Sequence, residues 1–355
     1  MKEAMMYEPI GHEMVHCHLC PHNCVIPEGK TGHCGVRKNL KGTLYALTYN
    51  SVTSMAIDPI EKKPLYHFYP GTPTLSIGTF GCNMRCKHCQ NWEISHHLAT
   101  EDGNGMHDLS PEALIQLTKD KGCDALAWTY NEPSIWFEYI LDTAKLARKE
   151  GILTVMVTSG MLNPPALKAL LNYIDAYRLD VKGFTEEFYQ NLTGSPVLKN
   201  VLENGLIAHQ SGAHVEIITN VIPNWNDSDE QFEGLANWIA KNLNSDVPWH
   251  LTAYHPDNKL TEPPTPLKTL ERGRKIGHKI GLKYVYIGNI PGNAGQNTVC
   301  PGCSKTLIDR VGFGVGRNHI VNGNCRFCGY KIKEYRGPDV PFRHHTDPYP
   351  EYIEL

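Results

Sequence analysis

The sequence predicts an α/β protein: an incomplete (β/α)6-type parallel barrel with N-terminal and C-terminal cysteine-rich metal modules. Three observations carry that expectation. Short apolar, β-branched runs alternate with helical patterns between residues 74 and 290. Residues with chemistry unsuited to a core fall just after those runs. Every cysteine except Cys123 belongs to one of three tight groups, two of them outside the alternating region.

The runs at 74–80, 125–129, 153–158, 176–181, 215–221, 250–253 and 284–287 read as strands. Ser110-Pro111-Glu112 reads as a helix start, a capping serine before proline at the first helical position. Further helices are expected over 134–150, 165–173, 196–210, 227–242 and 266–280. Repeated strand–helix units force parallel strands with helical crossovers. In a parallel barrel, chemistry gathers at the C-terminal strand ends, where the unusual residues lie. The expected division is a cysteine-rich module and lead-in at 1–73, with short strands and turns over 41–70, and the barrel at 74–290. A zinc-ribbon or rubredoxin-like module follows at 291–336, then an extended tail at 337–355 rich in Pro, His and Tyr.

Composition narrows the function classes. Hydrophobic residues at 41% and charged residues at 20% support a packed core rather than disorder. A formal charge of −3 gives no basic excess, so no nucleic-acid partner is expected. No run approaches the roughly 20 apolar residues of a membrane span, and the first residues lack the apolar stretch of a secretory signal. A cytoplasmic location is therefore expected. There thiols stay reduced, and close-set cysteines point to metal rather than to disulfides.

The segment TFGCNMRCKHCQNW places Cys82, Cys86 and Cys89 directly after the first core run. Soft thiolates in a Cx3Cx2C loop suit three corners of an iron–sulfur cubane. The next cysteine, Cys123, begins a predicted strand, so one iron keeps an open position. Spacing alone also permits a zinc knuckle completed by His88 or His96, but a knuckle predicts none of the motifs further along.

Those motifs are Thr129-Tyr130-Asn131-Glu132-Pro133, Thr158-Ser159-Gly160, Asp180-Val181-Lys182 with Leu192-Thr193-Gly194, the run VEIITNVIP, and His255. Each has a plain structural reading. Asn-Glu-Pro suits a helix start. Asp180 and Lys182 share one strand face and could form an ion pair. His88 could be solvent-exposed, and a lone histidine such as His255 is commonly structural.

Taken in order along the chain, however, they resemble the radical SAM superfamily, with a core similar to the pyruvate formate-lyase activating enzymes. The flanks CHLCPHNC…GHCGVR and CPGC…CRFCG look like the AmmeMemoRadiSam-system radical SAM proteins. The resemblance implies a [4Fe–4S] cluster on Cys82, Cys86 and Cys89, with S-adenosylmethionine (SAM) chelating the open iron. Reductive cleavage would give a 5′-deoxyadenosyl radical that abstracts hydrogen from an unidentified substrate. It also implies roles for named residues: His88 near the adenine, Asn131 and Glu132 at the SAM amino group, and Ser159 in a ligand-approaching turn. Asp180 would bind the ribose hydroxyls, Lys182 the carboxylate, and His255 would lie near the methionyl group. Tyr130 and Asn131 stand where that family carries glycines. An external one-electron reductant of flavodoxin or ferredoxin type is implied, and the substrate could be a protein, as for a glycyl-radical-enzyme activase. A zinc-rich module binding nucleic acid or protein is the alternative from another class.

Cys300-x2-Cys303 and Cys325-x2-Cys328 have zinc-ribbon or rubredoxin spacing, four thiolates filling a tetrahedral site of zinc or iron. Gly312, Gly314 and Gly316 between them lack the strand–turn–helix context of a phosphate loop and read as hairpin residues. Cys17, Cys20, Cys24 and Cys34 could close a zinc site or hold a second cluster. His16, His18, His22 and His33 could each replace a cysteine or simply sit on surface loops.

Overall fold

The computed structural model describes residues 1–96 and 107–338. The expected tail lies outside the described residues except for its first two.

One sheet organises the chain. Its strands are β1 (Ser54–Pro59), β2 (Pro73–Gly78), β3 (Ala125–Trp128), β4 (Leu153–Thr158), β5 (Ala176–Asp180), β6 (His214–Val221), β7 (Trp249–Ala253) and β8 (Val285–Gly288). They lie side by side in chain order. Strands β2 to β8 are parallel, and β1 pairs antiparallel with β2, Met55 opposite Ile77. The crossover helices are α1 (Pro111–Asp120), α2 (Phe137–Lys149), α3 (Pro164–Leu171), α4 (Leu198–Ser211), α5 (Asp229–Trp238) and α6 (Leu267–Ile280).

The local causes are those in the sequence. Val155, Met156, Leu179, Ile217 and Leu251 are buried in strands covered on both faces, as parallel strands require. Ser110 caps α1 by accepting the Ala113 N–H at 3.2 Å, and Ser228 caps α5 in the same way. Leu167 and Leu170 of α3 and Phe232 and Leu235 of α5 close over the sheet in one continuous core.

Strand ends differ from expectation by one or two residues. Strand β1 is among the short strands expected over 41–70, but its antiparallel place in the main sheet beside β2 was not foreseen. Nor was one helical element. A helical turn at Glu186–Phe188, continued by a wider π-type turn at Tyr189–Thr193, precedes α4. Gly194 ends it at φ +76°.

The N-terminal segment is built from small antiparallel sheets. Tyr7–Pro9, Val15–Cys17 and Val25–Ile26 form one; Lys2–Glu3, Thr43–Ala46 and Arg37–Leu40 form another. Buried Arg37 joins it to α2 through both oxygens of Glu138, each at 3.0 Å. The C-terminal segment carries β9 (Thr298–Val299), β10 (Thr306–Val311) and β11 (Gly314–Asn318) in a three-stranded antiparallel sheet. The glycines between the CxxC pairs do lie in and around this hairpin.

The C-terminal segment is anchored at its base. Arg310 donates to the Tyr66 carbonyl at 2.7 Å and lies 3.6 Å from Glu61. Glu216 on β6 accepts from the backbone N–H of Tyr66 and of His67, and faces His214 and His250 at 2.9 and 2.6 Å. Burial pushes this carboxyl up, but the two histidines outweigh it and hold it well below its ordinary value.

Candidate active site

The ends of β2 through β8 surround a cavity of about 430 Å³, into which Cys82, Cys86 and Cys89 all open. No other cysteine lines it among the described residues. The cysteine loop is held from two sides. Leu192 and Thr193 offer their carbonyls to the N–H groups of Lys87 and Arg85, at 2.8 and 2.9 Å. The unforeseen turn before α4 thus cradles the loop. Asn131 holds the other side, donating to the Gly81 carbonyl at 2.7 Å and accepting the Thr79 N–H at 3.3 Å.

Burial raises the Cys82 thiol above its ordinary value, aided by Cys86 and Glu132. Cys86 is pushed up to about 12, chiefly by burial and against the pull of Lys182. Such thiols need an electrophilic partner to lose their protons, which a metal centre supplies.

Of the residues singled out from the sequence, His88, Asn131, Glu132, Ser159, Asp180 and Lys182 all line this cavity. His88 is buried rather than solvent-exposed; burial and then Lys182 lower it to about 3, so the ring is neutral. Its Nδ1 is buried and has no protein partner. Glu132 links two strand ends: Oε1 accepts from Thr158 Oγ1 at 2.6 Å and Oε2 from the Ser159 N–H at 2.7 Å. Burial raises its pKa in spite of these donors. Asp180 lies 2.5 Å from Arg178 and 3.1 Å from Lys182. Burial opposes its ionisation, yet the two cations hold it below its ordinary value.

His255 falls elsewhere. It is exposed, does not line the cavity, and contacts Gln90 at 2.8 Å through Nε2. Tyr130 occupies a left-handed backbone position at φ +73°, one that glycine adopts without strain. The departure from the family's glycine therefore leaves a glycine-like backbone in place. The Tyr130 carbonyl accepts from Asn91 Nδ2 at 2.8 Å.

Sequence reasoning missed Arg178, Lys62, Lys63 and Asp58, which also line the cavity. Lys62 and Lys63 reach Asp58 at 2.7 and 3.1 Å. An arginine two residues before Asp180 in the AYRLD strand was the available signal, since a buried guanidinium requires a partner.

The two outer cysteine quartets differ. Cys300 and Cys328 approach to 3.6 Å between sulfurs, Cys303 and Cys325 to 3.8 Å, and all four lie within 4.8 Å of one another. Zn–S bonds of about 2.3 Å in a tetrahedron put sulfurs about 3.8 Å apart. Among the described residues, neither the core three nor any three of Cys17, Cys20, Cys24 and Cys34 gather so closely. His16 and His18 face Glu8 at 3.8 and 3.2 Å, while His22 and His33 stack at 4.1 Å.

Residues 76–239 match the Radical SAM superfamily model. The chain is 41% identical over 335 residues to an uncharacterized protein, MJ0808, of Methanocaldococcus jannaschii, covering 94% of this chain and 99% of that one. It is 26% identical over 235 residues to pyruvate formate-lyase 1-activating enzyme of Escherichia coli K12, covering 60% of this chain and 93% of the relative. A radical SAM methyltransferase structure from Sphaerobacter thermophilus aligns at TM-score 0.48 and 16% identity, over 62% of this chain and 67% of that chain. The alternative of a non-enzymatic zinc-rich binding module gives way to the family match and the activating-enzyme relative. A parallel α/β sheet, a three-cysteine loop at its active end and the family match together make this chain a member of the radical SAM superfamily, an enzyme of oxidoreductase type.

Proposed function

We propose that the chain binds a [4Fe–4S] cluster through Cys82, Cys86 and Cys89 in a partial (β/α) barrel. With SAM on the fourth iron, the enzyme abstracts hydrogen from a substrate still to be identified. The observation that carries this reading is convergence: three thiols, His88 of the same loop and five residues from later strand ends face one cavity. The donor set fits the cluster by its chemistry: three soft thiols open into one cavity, and no fourth cysteine among the described residues lines it.

When bound, the cluster and SAM together supply a one-electron bond cleavage that no side chain can perform. The protein holds and orients. Asp180, kept ionised, offers acceptors suited to ribose hydroxyls. Lys182 is raised above its ordinary value, because Asp180 and Cys86 outweigh burial, so it stays cationic for a carboxylate. Glu132 retains acceptor capacity on Oε2 for an ammonium group. Neutral His88 presents an unpartnered nitrogen to the adenine side. His255 stands at the rim, behind Gln90. The electron comes from outside, from a donor of flavodoxin or ferredoxin type.

Cys300, Cys303, Cys325 and Cys328 hold a structural zinc in this reading, with iron the second choice, supported by their sulfur spacing. The flanking quartets support placement among the AmmeMemoRadiSam-system proteins. Among the described residues no helix is long and apolar enough to cross a membrane.

Anaerobic reconstitution with iron and sulfide tests the core assignment. The wild-type chain should release 5′-deoxyadenosine from SAM on reduction, and Cys86→Ala should not, while its ribbon keeps zinc. Undiminished cleavage by Cys86→Ala would remove the assignment. A His88→Ala variant that loses iron would show His88 capping the fourth corner.

A further inference from the structure

We infer that Cys17, Cys20, Cys24 and Cys34 hold a second iron–sulfur cluster that passes single electrons to the core site. The relay rests on the core reading above; the metal assignment does not.

The four side chains converge. Cys17 and Cys24 lie across a strand pair, the Cys17 N–H donating to the Cys24 carbonyl at 2.9 Å. The His33 N–H approaches Cys24 Sγ at 3.5 Å, which brings Cys34 alongside. Cys34 feels the charges of Cys17 and Cys24, and Cys20 those of Cys34 and Cys17. Yet no three of the sulfurs gather within 4.8 Å, whereas the C-terminal quartet is already at the spacing of one ion. The core three do not gather within 4.8 Å either. A single tetrahedral zinc needs sulfurs about 3.8 Å apart, whereas a cubane several ångströms across takes thiolates set further apart.

Proximity supports the relay. The Cys20 thiol meets the side chain of Asn83, and His22 Nε2 lies 2.7 Å from the Asn83 carbonyl. Asn83 directly follows Cys82. Arg85 spans the two loops, donating to the carbonyls of Cys82 and His33. At Gly81, a side-chain carbon would fall 2.6 Å from Val36 and 2.7 Å from the Cys34 carbonyl, so only glycine permits the approach. Cys20 and Cys24 are half-buried at the outer side, where a flavodoxin- or ferredoxin-type donor can dock. The donor loses one electron, the outer cluster is reduced and then reoxidised, and the core cluster gains that electron. No bond or proton changes place.

The test is metal counting and electron paramagnetic resonance on the full chain, reconstituted anaerobically. Wild type should hold about eight irons and one zinc. The variant Cys82→Ala/Cys86→Ala/Cys89→Ala should keep about half that iron and the zinc. About four irons and two zincs in wild type, with no iron in the triple variant, would overturn the second cluster. Iron in the triple variant equal to wild type would instead sink the core assignment and leave the outer site standing. On dithionite reduction, the wild-type spectrum should show broadening from two interacting spins. A wild-type spectrum equal to the sum of the triple variant and Cys20→Ser/Cys24→Ser would overturn the relay. Should Cys20→Ser/Cys24→Ser not fold, the wild-type count and line shape decide alone.

Discussion

The N-terminal and C-terminal quartets have the same four thiols and opposite settings. The C-terminal four close on one another at the end of a small antiparallel sheet, with Cys300 and Cys325 in their own hydrophobic cluster alongside Leu307, Ile308 and Tyr286. The N-terminal Cys17 belongs instead to the main core, together with Cys82. The C-terminal quartet packs with residues of β8 and the lead-in to it, the N-terminal one with the active-site loop. On the proposed reading, sulfur spacing and shared core, rather than motif, would separate a structural metal from a working one.

The largest effect should come from breaking the C-terminal quartet. Cys303→Ala should release zinc and unfold the ribbon, since structural zinc supplies on the order of 10 kcal/mol of folding free energy at neutral pH. Zinc analysis and loss of protease resistance confined to residues beyond 290 would show it. Iron content should hold; loss of iron in this variant would mean that the two ends are not separable.

Next is the anchor under the ribbon. Glu216→Gln should cost about 3 kcal/mol, because His214, His250 and two backbone donors lose a charged acceptor. The wild-type carboxyl is depressed in the folded state, so its contribution is full above the ordinary carboxylate pKa. It disappears as pH falls through the lower, folded value. Thermal melts should accordingly show a steeper acid loss for wild type than for Glu216→Gln; parallel curves would contradict the depressed carboxyl.

A smaller change probes the other end. Gly81→Ala should cost about 2 kcal/mol, from the contact with Val36 and Cys34 and from its φ of +82°. Iron should fall at both the core and N-terminal sites, with zinc unchanged. Iron loss at the core alone would show that the loops are not coupled. Smallest is Tyr130→Gly, which removes a left-handed strain of about 1 kcal/mol at φ +73°. Melting should shift little, and SAM affinity should respond more than stability.

Much of this was legible because parallel strands are buried on both faces and leave near-continuous apolar runs, as at β4 and β6. Strand-end chemistry was legible for the same reason: Asp180 and Glu132 interrupt such runs. The family resemblance added the assignment of roles. What stayed hidden was long-range. Nothing near Ser54–Pro59 announces a partner in β2, and Arg178 finds its meaning only beside Asp180 in the closed sheet. The turn before α4 lacks a strong apolar period, and its carbonyls matter only because the cysteine loop lies against them. His255 follows a strand end as expected, yet it stands exposed behind Gln90, which itself lines the cavity.

Phe313, at the tip of the C-terminal hairpin, lines the same cavity as the three core cysteines. The C-terminal hairpin therefore contributes a wall of the cavity. Exchanging this hairpin between relatives should alter which molecules gain admission, and leave the radical-forming machinery as it was.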